Sequence, residues 1–472
     1  MRNPWPPSNA LLFDADAADA FSDAGEESWG WAELFIALQL LWGLMMFVPG
    51  VQAYRTVVRA MPYVVSGAAL VYYFRQGRGE RLPDSTKWLV ISFLLLLLNL
   101  LHESAHWFAG IGQIVFQLCI AAPAFWMARA VRSEAQIRRV LWIVFAASAL
   151  GSVLGVLQVY FPERFLPPEF SALAQSLNPD IIHALTYVGA DGREIVRPPG
   201  LSDLPGGAAI AGMMTMILGL ALAVRRDERW VVRCVCLAAA VIGMTALYLT
   251  HVRSLTIVAA ASVGVFALLR LRQGRTFEGT LSLGVGVALV VGSYIWAVAL
   301  GGDAVTDRFS GLADGGVFHT FKDQRGAFIR YTVSELLYEF PLGAGLGRWG
   351  MMQLYLGDRT LWQAPPIHVE VQLTGWLLDG GLPLWLLYGG ALFAAVRYSY
   401  RIALRAVTDV LQDAATIILC LQLTIICLCM TGPVFNTQLG ILFWAATGAL
   451  FGAVIGPETA RNEWMEIEAP NA

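Results

Sequence analysis

About twelve times along its 472 residues this chain runs apolar for the length of a bilayer-crossing helix. A helix rises ~1.5 Å per residue, so roughly 20 apolar residues cross a ~30 Å hydrocarbon layer. Inside that layer no water serves the backbone, and a single segment satisfies its own N–H and C=O groups only as a helix. The runs fall near 31–49, 56–74, 88–104, 107–128, 139–161 and 204–224, then 231–250, 254–270, 280–300, 371–396, 414–432 and 437–455. Only 14% of residues are charged, against about 25% in an average soluble domain. The sequence therefore predicts an all-α polytopic membrane protein with about twelve transmembrane helices.

Lys and Arg orient it. With the N-terminus inside, five short cytoplasmic loops hold eighteen basic residues, such as Arg129, Arg132, Arg138 and Arg139. The opposite face carries twelve, half of them in one long segment where the positive-inside rule has little force. Both termini are expected inside. The N-terminal stretch to residue 30 is acidic and lacks the basic region and long apolar core of a cleavable signal, so it reads as a solvated tail. The six cysteines lie in or beside apolar runs and read as small buried residues rather than a disulfide framework or metal site.

This organisation gives a tail over 1–30, nine spans over 31–300, a large outer loop over 301–370, three spans over 371–456 and a C-terminal tail over 457–472. A second outer segment, 162–203, interrupts the first nine spans. Within the large loop, "RGAFIRYTVSELLYEF" has helical apolar spacing and predicts an amphipathic helix near the membrane surface, ended by Pro341.

Basic residues on the outer face are the unusual feature. Arg197 sits in "RPPGLSDLPGG" and Arg253 in "THVRSLT", between two spans with almost no loop. Arg325 and Arg348 fall in the long segment, and His368 closes it in "PPIHVEVQL". A guanidinium stays charged and its planar fork matches phosphate oxygens, so several at one face suit a diphosphate headgroup. Arg308, Arg330 and Arg359 read more simply as headgroup-facing cations. "PLGAGLGRWG" lacks the Lys-Ser/Thr ending and strand–helix context of a nucleotide loop, and reads as a turn.

Taken in order, "RPPGLSDLPGGAA", "THVRSLTIVAAASVGV", "DRFSGL", "QRGAFIRYTVSELLYEFPLGAGLGRWG" and "IHVEVQLTGWLLDGGLPLWLLYGGALF" resemble the O-antigen ligase and O-antigen polymerase superfamily of bacterial surface-glycan assembly. The likeness covers about residues 195 to 395. Two departures stand out: His368 is followed by Val369 rather than Asn or Ser, and Pro205 by Gly206 rather than Asn. The resemblance implies an inner-membrane glycosyltransferase with a periplasmic active site and a fold like that of other polytopic glycosyltransferases. Its donor would be a glycan on undecaprenyl diphosphate, and its acceptor a glycan or lipid. Arg197 and Arg253, assisted by Arg325 or Arg348, would bind the diphosphate, and His368 with Arg253 would be catalytic. The transfer would invert the sugar and need no metal or other cofactor. Partners would be membrane lipids and glycan-export proteins, with no nucleic acid.

Two other classes have sequence features of their own. "HESAH" matches the H-E-x-x-H pattern of a zinc protease through His102, Glu103 and His106, with Asp379 as a possible third ligand. A transporter of the same superfamily would show polar groups and broken helices near the bilayer midplane. The spans read as mostly uninterrupted, with their polar groups at the outer edge, which favours chemistry at the interface.

Overall fold

In the computed structural model the described residues are mostly helical, with one two-stranded hairpin among them. The structure describes residues 30–48, 50–76, 81–167, 186–202, 206–225, 228–314, 319, 321–322, 325–357, 365–406 and 408–456. The two tails, Pro205, Arg359 and part of each outer segment lie outside them.

Every apolar run becomes a helix. The first half gives α1 (Trp31–Leu41), α2 (Arg55–Arg75), α3 (Asp84–Asn99), α4 (Trp107–Ala121), α5 (Pro123–Ala130) and α6 (Glu134–Tyr160). The hairpin pairs β1 (Thr186–Val188) with β2 (Glu194–Val196). Then come α7 (Ala208–Ala223), α8 (Trp230–Leu249), α9 (Arg253–Arg272) and α10 (Thr276–Gly301). The stretch 301–370 supplies α11 (Asp303–Asp314), α12 (Arg325–Tyr331) and α13 (Gly350–Leu356), and α14 (Gln372–Arg405), α15 (Asp409–Leu428) and α16 (Gln438–Ile455) follow.

Among the described residues nine helices are long and apolar enough to cross a membrane, with α4 and α5 counting as one. Three of the expected runs form shorter helices instead: α1 has 11 residues, and α3 and α7 have 16 each. Where the sequence predicts an amphipathic helix, a helix runs from Arg325 to Glu339, passes through a π turn at Thr332–Leu336, and stops before Pro341.

Small residues set the closest packing, because apolar lipid gives helices no hydrophobic reason to associate and van der Waals contact must suffice. Gly212 of α7 faces Gly243 of α8 so tightly that a Cβ on Gly212 would lie 2.4 Å from the Gly243 oxygen. The basic loops gather at one end of the bundle. There Arg270, fully buried, bonds Asp413 at 2.5 Å, Arg275 bonds it at 2.9 Å, and Arg225 lies 3.3 Å from its other oxygen.

One span departs from the expected continuity. α14 breaks at Gly381, whose φ of 65° leaves the helical region, two residues before Pro383. The Gly-rich stretch fills the break. Leu382 N donates to Pro341 O and Ala344 N to Leu378 O, and residues 343–349 are buried rather than forming a surface turn.

Candidate functional site opposite the Asp413 cluster

The end of the bundle opposite the Asp413 cluster carries two groups of polar side chains. The helix ends show this: α9 runs from Arg253 to the Asp413 cluster, and α14 runs from Gln372 to Ala403, whose oxygen accepts from Gln273 at that same cluster.

The first group forms around the turn between α8 and α9. With only Thr250 to Val252 to reverse the chain, His251 adopts φ +60°, the one positive φ among described non-glycine residues. Such backbone costs free energy and persists where its surroundings over-determine it. Here the His251 ring stacks on Tyr187 of β1, with centroids 4.1 Å apart, and its carbonyl accepts from Arg308 Nε of α11 at 3.4 Å. The pairing of Thr186 with Val196 puts Arg197 directly beyond the hairpin, and Arg253 opens α9. The charges of Arg197, Arg308 and Arg253 all reach His251.

Three guanidiniums thus share one site, and among the described residues no carboxylate pairs with any of them. Burial and the nearby Arg308 both push the Arg197 pKa down, meaning its charge is held against a cost. Burial, then Arg197, Arg308 and Arg253, lower the His251 pKa from its ordinary 6.5 to about 4, so the imidazole is neutral near pH 7. Burial pushes the Tyr187 hydroxyl up, keeping it neutral too. Arg197 Nε, Arg253 Nε and His251 Nε2 are buried with no hydrogen-bond partner among the described residues. An oxyanion is the chemical group that would satisfy both the orphaned donors and the excess positive charge.

The second group centres on His368. Its Nε2 lies 2.8 Å from Glu370 Oε1, and the other Glu370 oxygen pairs with Arg325 of α12. The His368 side chain is 75% exposed, with Phe328 6.5 Å away, ring to ring. A carboxylate holding Nε2–H leaves Nδ1 as the basic nitrogen, facing whatever enters from solvent.

A buried brace holds this segment. Arg348 donates Nη1 to Ala344 O and both Nε and Nη2 to Pro365 O, while Ile367 N donates to the Arg348 oxygen. The next residue, Trp349, donates Nε1 to Asp379 at 2.7 Å. Asp379 is fully buried and also accepts from Gln113 and Gln117 of α4.

The structure therefore separates the residues expected to act together. Arg197 and Arg253 meet, joined by Arg308, which the sequence offered only as a headgroup contact. Arg325 belongs instead to His368. Arg348 has every guanidinium nitrogen committed to backbone carbonyls, so it acts as a brace rather than a free anion ligand. Sequence reasoning did not single out His251, Tyr187 or Glu370. Only Glu370 had a readable signal, since residues i and i+2 of an extended segment share a side.

The HESAH stretch does not build the protease arrangement. Residues 100–106 are turn and coil, so the two histidines do not sit one helical turn apart. His102 Nδ1 instead accepts from Ser104 N, and His106 caps α4 with its N–H bonded to Leu346 O. Both oxygens of Asp379 are taken by side-chain donors. Among the described residues no three His, Cys, Asp or Glu stand together as metal ligands.

No family model matches the chain, and no curated protein matches it at a significant level.

Proposed function

We propose that this protein is an inner-membrane glycosyltransferase that moves a glycan from a polyprenyl diphosphate carrier to an acceptor hydroxyl at the periplasmic face. The supporting observation is the cluster of Arg197, Arg253 and Arg308, which no carboxylate pairs among the described residues, at the same end of the bundle as the His368–Glu370 pair. Its order along the chain follows the resemblance to O-antigen ligases and polymerases. The basic loops at the Asp413 end support a cytoplasmic assignment for that end, with twelve helices, some short, threading the bilayer.

In this reading the donor diphosphate lies among the three arginines, with its prenyl chain in lipid. The acceptor oxygen attacks the anomeric carbon from the face opposite the diphosphate while the carbon–oxygen bond to the carrier breaks. His368 takes the acceptor proton on Nδ1, steadied by Glu370, which Arg325 holds. The arginines neutralise the charge that grows on the leaving diphosphate, a donor array set before the reaction begins.

The test is a reconstituted assay with the purified protein in proteoliposomes and a diphosphate-linked glycan donor. Arg197→Ala and Arg253→Ala should each cut transfer by about 10²–10³-fold, the scale of one lost charge-stabilising donor. Transfer at wild-type rates by both variants would refute the assignment.

One observation favours a second reading. The break at Gly381, beside the buried Asp379, has the form of the interrupted helices that bind substrate in carriers. A transporter would move labelled glycolipid or solute across proteoliposome membranes without forming a new glycosidic bond, and the same preparation distinguishes the two.

A further inference from the structure

His251 has no part in the transfer as described, yet it occupies the middle of the cation cluster. It is 4% exposed, its Nε2 has no partner among the described residues, and it holds a backbone conformation that few side chains adopt. Groups from four directions face it: Tyr187 from β1, Arg197 after β2, Arg253 from α9 and Arg308 from α11. Burial and three cations together make this a hostile place for a proton. It becomes a favourable one only when negative charge arrives.

We propose that His251 is a proton-coupled ligand of the diphosphate: neutral in the free protein, it takes a proton from solvent as the anion settles among Arg197, Arg253 and Arg308, then donates Nε2–H to a phosphate oxygen. This inference rests on the diphosphate reading of the cluster. The physical reason is linkage. Burial, reinforced by the three guanidiniums, holds the imidazole's pKa at about 4 in the free protein. A diphosphate diester brings two negative charges against the same ring, cancels most of that repulsion and supplies an acceptor for the orphaned nitrogen. Whatever raises the proton affinity of His251 on binding must, reciprocally, tighten binding as protons become available. After transfer the leaving diphosphate gains charge, so the protonated histidine would hold it more firmly than it holds the donor.

The backbone explains why this role falls to residue 251. The turn between α8 and α9 is too short to reverse the chain without a left-handed residue, which Gly or Asn provides at less cost than His. A histidine there keeps the strain and adds a ring that reaches Tyr187.

The test is calorimetric titration of the purified full-length protein with a diphosphate diester carrying a short prenyl chain and one sugar. Such a diester has no titrating oxygen near neutrality, so any proton exchanged belongs to the protein. Repeating the titration in buffers of different ionisation enthalpy counts the protons. The expected result is uptake that grows toward one proton per ligand between about pH 7.5 and about pH 6, with binding tightening over the same interval. His251→Asn, which keeps a side chain tolerant of the left-handed backbone, should abolish the uptake and weaken binding by about tenfold.

Binding without proton uptake by the wild-type protein would overturn the proposal and leave the diphosphate reading standing; that result needs no variant to fold. Uptake that persists in His251→Asn would overturn it as well. Failure of the diester to bind, or an equal response to short-chain phosphatidylglycerol, would overturn the diphosphate reading itself, and this inference with it.

Discussion

Burying His251 among three arginines makes folding sensitive to acid, independently of any ligand. The imidazole titrates near 6.5 in the unfolded chain and near 4 in the folded one. Between those values the unfolded state binds more protons, so stability is fully present above about pH 6.5 and falls as the pH drops through about 4. The full penalty is about 3 kcal/mol. Thermal unfolding in a pH series should show this slope in the wild-type protein and a flatter one in His251→Asn; an identical slope would place the acid sensitivity elsewhere. At the second group, His368→Ala should lower transfer by about 10²–10⁴-fold, the range for losing a general base. Glu370→Gln should cost less, because the amide still bonds Nε2 while losing the pair with Arg325. Steady-state rates measured with saturating donor check both, and a Glu370→Gln defect as deep as that of His368→Ala would make Glu370 more than an orienting group.

The break in α14 and the loop that fills it work as a unit. Gly381 turns the chain at φ 65°, and a Cβ there would lie 2.1 Å from the Pro341 oxygen. Gly381→Ala should therefore destabilise the protein by about 1–3 kcal/mol or more, read as a lower unfolding temperature; a neutral result would mean the loop sits less tightly than its contacts imply. Arg348→Ala should loosen residues 365–367 and lower the transfer rate while leaving diester binding at Arg197 and Arg253 intact. Much of this element was legible. The apolar runs, the helix ending before Pro341 and the polar "IHVE" entry to α14 follow from periodicity and breaker residues. The insertion of "PLGAGLGRWG" was not, because a Gly-rich stretch looks the same as an exposed turn or a buried wedge. What decides is whether partners elsewhere, such as Gln113 bonding Gly347 N or Asn99 bonding Leu342 O, satisfy its backbone. The His251 cluster was hidden for a related reason: Tyr187, Arg197, His251 and Arg308 come from separate stretches, and only the tertiary fold brings them together.

Across the whole molecule, charge is sorted by end. One end surrounds the Asp413 carboxylate with Arg225, Arg270 and Arg275, so positive charge there is matched by acid. The other end leaves Arg197, Arg253 and Arg308 unmatched among the described residues. The first arrangement holds helices together, and Asp413→Ala, which strands buried cations, should cost about 3–5 kcal/mol and show as poor folding yield. In the proposed function the second would bind the donor's diphosphate, and the account depends on that assignment. The most direct measurement is the profile of lipid-linked and surface glycans in cells lacking the gene, complemented with wild-type protein, Arg253→Ala or His368→Ala at equal expression. The account predicts that deletion leaves glycan stranded on its carrier lipid, either as single units or as finished polymer, and that only the wild-type protein restores the surface glycan. An unchanged profile on deletion, or full restoration by both variants, would contradict it.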